Sequence, residues 1–298
     1  MSTGSAHRSV WEENASAAAL AWAGDGASLE VRRTPRQADH LLGTLHGMDG
    51  SRWFVKAFAP GHDRYFECEL DVYRAAPAGS APLLRHVEID NRVLITEECG
   101  GGRLGDLDSR SQASLLNGVA PLFGKLLDLP AGSELKQDRE SFHVARAAVS
   151  AHPIAKALPS ADVVLELLST QEPRRIHGDF HPLNVLVDDG ALHAIDFESY
   201  GDDLPGFDIV RMAFNPSLQI DTGQRLELMR ELSAMLGADR GPTDRELAAC
   251  CVYWGVSCAA YFSSVLAADP EGAQHSPEVP VLATEPLVQA AKFWNGEL

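Results

Sequence analysis

The stretch Ile176-His177-Gly178-Asp179-Phe180-His181-Pro182-Leu183-Asn184, continued at Ile195-Asp196-Phe197, decides the reading of this chain. It sets an Asp, an Asn five residues on, and a second Asp twelve residues after that Asn. The first suits a group that orients a hydroxyl and takes up its proton. The amide and the second carboxylate are hard oxygen donors suited to a hard divalent cation. Between them, Val185-Leu186-Val187, Asp188-Asp189-Gly190 and residues 191–195 read as a short β-hairpin with an Asp-Gly turn. Such a hairpin returns Asp196 to the side of Asn184, so that one loop and one strand end hold a cation together. This is the set of groups that phosphoryl transfer from a Mg²⁺-bound nucleotide requires.

The rest of the sequence bounds the function further. At 298 residues, 45% hydrophobic and 22% charged, the chain has the make-up of an ordinary globular protein of one or two domains. A net charge of -17 argues against a nucleic-acid partner, which needs a basic face. It suits a small acceptor, cationic or uncharged. The five cysteines (Cys68, Cys99, Cys250, Cys251, Cys258) form no Cys-x-x-Cys pair and read as reduced residues of a cytoplasmic protein. No signal peptide is evident at the N-terminus. Residues 248–268 are uncharged and long enough for a membrane span. Their Ser, Tyr, Cys and Gly content and the lack of a basic flank favour a buried helix, so no membrane partner is expected.

Apolar alternation predicts strands at 28–33, 40–46 and 52–58, a helix at 63–76, and strands at 83–87 and 92–98. Gly100-Gly101-Gly102 then reads as a linker. Beyond it helices are expected at 109–129, 138–150, 160–170, 204–214, 222–236, 243–268 and 285–294, with a Thr243/Glu246 capping box and a loop at 269–281. The expected fold class is α+β. The elements predict a small antiparallel β-sheet lobe (residues 1–99) and a large, mainly α-helical lobe (100–298). That is the bilobal, protein-kinase-like arrangement.

The run His177 to Asn184, the Ile195-Asp196-Phe197-Glu198 after it, and Gly201-Asp202 leading to Asp208-Ile209-Val210 resemble the signature of aminoglycoside phosphotransferases and their small-molecule kinase relatives. The resemblance is sharp over residues 174–212 and looser over 27–104. It implies nucleotide binding in the small lobe, and catalysis with acceptor binding in the large one. It also implies Asp179 as the catalytic residue, Asn184 and Asp196 as Mg²⁺ ligands, and ATP as the phosphoryl donor, with GTP left open. Lys56, a charged residue in the apolar strand Trp53-Phe54-Val55-Lys56-Ala57-Phe58, matches the Lys that clamps the nucleotide phosphates. Its partner is expected on the following helix, Glu69 first and Glu67 second. The loop between the first two strands lacks the Gly-rich cradle of protein kinases, which leaves Thr34, Gln37 or Arg36 for phosphate contacts. Glu97 to Cys99 are placed to offer backbone groups to the purine.

Gly178 where protein kinases carry Arg, Glu198 in place of Gly, and the lack of an Ala-Pro-Glu element argue against a protein substrate. The implied reaction is phosphorylation of a small-molecule hydroxyl. An antibiotic sugar comes first, as in a resistance enzyme. A metabolic choline, amino-sugar or sugar kinase is the alternative, and an inactive nucleotide-binding scaffold lies outside the class. Glu198, Asp202, Asp203, Glu231 and Trp254 are the candidate acceptor contacts, and the state is monomer or homodimer. His177 reads as structural, and His181 is left outside the site. A zinc site on His177, Asp179 and His181 is the rival reading, and it leaves Asn184 and Asp196 idle.

Overall fold

The computed structural model describes residues 9–32, 39–129, 133–134, 139–237, 240–268 and 278–298. The chain divides into two compact units, Met1–Gly100 and Gly101–Leu298.

The first unit is a five-stranded antiparallel sheet in the order β1-β2-β3-β5-β4. Its strands are β1 (Ser28–Arg32), β2 (His40–His46), β3 (Arg52–Phe58), β4 (Leu84–Glu88) and β5 (Val93–Glu97). Side chains alternate across a strand, so β3 presents its odd and even positions to different layers. Val55 and Ala57 join Leu41, Leu45, Val93 and Ile95 beneath Ala15 and Ala19 of helix α1 (Val10–Ala23). Phe58 packs instead with Leu94, Phe66 and Leu70, the last two from helix α2 (Asp63–Ala75). Lys56 shares the parity of Phe58, and the cross-strand register sets it opposite Leu42 and Leu94. Its position is therefore inside the unit, on the α2 side of the central strand.

The second unit is built mainly from helices α3 (Ser109–Leu127), α4 (Arg139–Ala148), α5 (Ala161–Leu168), α6 (Pro205–Phe214), α7 (Thr222–Met235) and α8 (Asp244–Ala268). Helix α8 is long and apolar enough to cross a membrane, but Leu247 through Val252 are buried and the helix packs against α4, α5, α6 and the terminal helix Glu285–Trp294. Gly255 marks the closest pass, because a Cβ there would press on the backbone carbonyl of Pro286. The start of α8 carries the expected capping box: Thr243 N–H donates to Glu246 Oε2 at 2.7 Å, and Glu246 N–H donates to Thr243 Oγ1 at 3.3 Å.

Two small sheets complete this unit. Strands β8 (Val185–Asp188) and β9 (Ala191–Ala194) form the hairpin, with Val185 opposite Ala194. Asp189 and Gly190 both take positive φ, 47° and 81°, as a two-residue I′ turn demands. The other sheet orders β6 (Ser133–Glu134), β10 (Gly201–Asp203) and β7 (Arg174–Ile176), and no expectation from sequence covered it. The loop expected over 269–281 is helical from Glu278 to Leu282, and residues 269–277 lie outside the described residues.

Candidate active site

The loop after β7 is built around one buried carboxylate. Asp208, fully buried on α6, accepts hydrogen bonds from the backbone N–H groups of His177 (2.6 Å), Gly178 (3.1 Å) and Phe180 (3.3 Å). Burial pushes its carboxyl above the usual range, opposed by His177, Arg211 and those amides. Three amides converging on one side chain fix the path of the loop on either side of Asp179. Gly178 has φ of 82°, and a Cβ there would collide with the carbonyl of Ser199, so only glycine fits.

His177 ties this loop to the far end of the hairpin. Its Nδ1 accepts from Asp179 N–H at 3.3 Å, which leaves Nε2 to carry the proton and donate to Ile195 O at 2.9 Å. Complete burial holds its pKa below the ordinary 6.5, so the ring is neutral. Phe180 and Phe197 flank it with ring centroids 5.9 and 4.8 Å away.

Asn184 stands at the base of the hairpin, and Ile195 N–H donates to its carbonyl at 3.0 Å. Its side-chain NH₂ donates to Asp179 O (3.0 Å) and Asp179 Oδ2 (3.1 Å). Since Asp179 offers only acceptors there, the amide oxygen of Asn184 must point the other way. Asp196 follows Ile195 with φ of 69°, a left-handed conformation that a non-glycine residue adopts at a cost. Carboxylate oxygens of Asp196 and Glu198 lie within 4.8 Å of one another. The Asn184 amide oxygen and the Asp196 and Glu198 carboxylates are hard oxygen donors, a chemistry that would fit Mg²⁺ better than zinc. His177 and His181 both spend their Nδ1 lone pairs on backbone amides, which further weakens the zinc reading.

Asp179 keeps 45% of its side chain exposed. Burial of the remainder pushes its pKa up, but His181 beside it and Arg211 pull it down to about 2. It is a carboxylate at any physiological pH.

In the first unit, Lys56 Nζ lies 2.6 Å from Glu69 Oε2, with Lys56 7% and Glu69 1% exposed. Glu67 is exposed on the other side of α2. Glu97 N–H donates to Leu83 O at 2.9 Å and its side chain pairs with Arg85. Glu98 is held by Arg52 (2.7 Å), Arg32 (3.2 Å) and Thr44 (3.1 Å). Cys99 is half-buried just before the end of this unit. Thr34, Arg36 and Gln37 lie outside the described residues.

Residues 26–247 match the model of the phosphotransferase enzyme family, APH. The chain belongs to that family. Solved structures share its fold at low identity. A choline/ethanolamine kinase family protein from Mesorhizobium loti is 16% identical, with 95% of this chain and 94% of that one covered and a TM-score of 0.66. Choline kinase LicA from Streptococcus pneumoniae is 14% identical, with 89% and 92% covered and a TM-score of 0.61. A thermostable mutant of aminoglycoside phosphotransferase APH(4)-Ia, in ternary complex with AMP-PNP and hygromycin B, is 14% identical, with 90% and 96% covered and a TM-score of 0.56. No curated protein matches.

Within this phosphotransferase the residues expected to hold the acceptor are placed as follows. Asp202 pairs with Arg175 across β10 and β7 and lines a hollow of ≈ 280 Å³ with Leu127, Leu129 and Arg174, apart from the 177–184 loop. Asp203 Oδ1 accepts from Leu204 N–H at 2.8 Å, at the start of α6. Glu231 is half-buried on α7, whose main packing partners are α3 and α6. Trp254 is buried in α8, and Tyr253 stacks on Phe142 with centroids 4.4 Å apart.

Three other residues surround Asp179 instead. His181 touches it, Arg211 on α6 lowers its pKa, and the thiol of Cys258 on α8 is near enough to feel its charge. Burial lifts that thiol to about 12, so it stays protonated. Sequence reasoning passed over all three. Only His181, two residues from Asp179, left a signal there.

Proposed function

We propose that this phosphotransferase moves the γ-phosphoryl group of ATP to a hydroxyl of a small molecule, with Mg²⁺ as cofactor. The observation that carries this reading is the clustering of the 177–184 loop and the end of the hairpin. There the Asn184 amide bonds Asp179 while turning its oxygen outward, and His177 links the loop to Ile195, next to Asp196. Asp179 would receive the acceptor hydroxyl as a hydrogen-bond donor. With a pKa of about 2 it is too weak a base to strip an alcohol in advance. It suits a loose transition state, in which the hydroxyl is oriented first and its proton leaves late. Asn184, Asp196 and Glu198 would hold the divalent cation, which when bound neutralises charge building on the transferred phosphates. Lys56, fixed by Glu69, would meet the nucleotide phosphates.

For the acceptor, the sugar of an antibiotic remains the first class to try and an amino alcohol such as choline the second. Asp202 and Asp203 are not assigned a role in cation recognition, since both are engaged within the fold. ADP release with MgATP should be measured against a panel of aminoglycosides, other glycosylated antibiotics, choline and free sugars. Turnover with one acceptor, falling by about 10²–10⁴-fold in Asp179→Asn, is the expected result. Nucleotide binding without transfer to any acceptor would favour the scaffold reading.

A further inference from the structure

We propose that His181 is a positioning residue for Asp179, and that its ring decides which carboxylate oxygen meets the acceptor hydroxyl. The proposal rests on the kinase reading above and concerns an atom that reading leaves open.

The geometry is local. Residue 181 is extended (φ -145°, ψ 165°) just before the single turn Pro182–Asn184. There its Nδ1 accepts from Leu183 N–H at 3.2 Å. A nitrogen that accepts must carry its lone pair, so the ring proton sits on Nε2. That nitrogen is 3.3 Å from Asp179 Oδ2. The same oxygen also receives the Asn184 NH₂ at 3.1 Å.

One hydrogen-bond donor, the Asn184 NH₂, and one imidazole nitrogen, His181 Nε2, thus face Oδ2. Among the described residues no hydrogen bond reaches Oδ1, although the side chain is 45% exposed. A carboxylate on a rotatable bond exchanges its oxygens unless its donors distinguish them. Here Oδ2 is held and Oδ1 is left as the basic atom. Asn184 cannot do this reliably alone, because it must also keep its own amide oxygen turned outward. With His181 Nε2 at 3.3 Å from Oδ2, that oxygen keeps a polar neighbour whether or not Asn184 shifts. The ring is only 19% exposed, so its own orientation is well defined.

The test compares His181→Phe, which keeps the bulk and removes the donor, with His181→Gln, whose amide NH₂ reaches to the place of Nε2. His181→Phe is expected to lose about 10- to 100-fold in kcat, the scale of a misplaced catalytic group, with the KM for ATP changed less than about threefold. His181→Gln is expected to recover most of the loss. Parent-like kcat in His181→Phe would overturn the proposal, as would an equal loss in both variants at unchanged melting temperature. A second measurement needs no turnover. Ring ¹⁵N spectra of the unliganded protein at neutral pH should show His181 protonated at Nε2 and bare at Nδ1, with the Nε2 signal displaced in Asp179→Ala. The opposite tautomer would overturn the proposal. Should the parent transfer phosphate to no acceptor, the kinase reading fails, and the ring spectrum still decides the His181–Asp179 bond.

Discussion

Two buried carboxylates, Glu69 in the first unit and Asp208 in the second, are accommodated by different physics. Glu69 is met by an opposite charge, Lys56 Nζ at 2.6 Å, between a strand and a helix. Asp208 is matched largely by backbone amides, three N–H groups of a single loop. An ion pair fixes two side-chain tips and leaves each helpless without the other. An amide-ringed carboxylate fixes a main-chain path, and through it whatever side chains that path carries. The first arrangement suits a clamp that presents one charge. The second suits a loop that must hold Asp179 and Asn184 in register.

The comparison can be broken at either end. The largest effect is expected at the ion pair. Lys56→Met should lower stability by about 3–5 kcal/mol by stranding Glu69, while the double variant Lys56→Met/Glu69→Met should recover most of it. Urea unfolding of the three proteins measures this, and a double variant no better than the single would show that the pair is not the reason for the cost. Next comes Asp208→Asn, which offers one acceptor where the loop amides had two. A loss of about 2–3 kcal/mol is expected, with a fall in kcat and little change in the KM for ATP. Equal loss of kcat and nucleotide affinity would mean the loop is not the element Asp208 supports.

The smallest effect concerns pH. His177 is neutral in the folded chain because burial lowers its pKa, whereas in the unfolded chain it titrates near 6.5. As pH falls below 6.5 the unfolded state takes up that proton first, so this contribution to stability is complete above 6.5 and declines below it. Melting temperatures between pH 8 and pH 5, at constant ionic strength, should fall less steeply in His177→Asn than in the parent. Parallel profiles would show that folding leaves the proton affinity of the ring unchanged.

Much of this was legible in the sequence where the signal is local. The Asp189-Gly190 turn announces itself because few dipeptides accept two positive φ values, and Lys56 because a charge in an apolar strand needs a partner. Helix facing allowed only one of Glu69 and Glu67 as the partner, and the structure pairs Lys56 with Glu69; the helix ends fell within a few residues of expectation. The three-stranded sheet β6-β10-β7 did not show, since strands of two or three residues have no period and pair across long chain separations. The partners of Asp202 and Asp203 did not show for a related reason, since Arg175 and the Leu204 amide meet them only after the chain folds. Arg211 and Cys258 share electrostatics with Asp179 from helices that sequence spacing does not relate to it.

The claim on which the account stands is that Asn184 and Asp196 hold one divalent cation beside the nucleotide. Mn²⁺ binding, followed by water proton relaxation in the presence of a non-hydrolysable ATP analogue, tests it in the parent, Asn184→Leu and Asp196→Asn. The account predicts a nucleotide-dependent Mn²⁺ site in the parent, weakened about tenfold or more in each variant, within the range expected when a ligand or its support is removed. Mn²⁺ binding that is indifferent to both substitutions would contradict it.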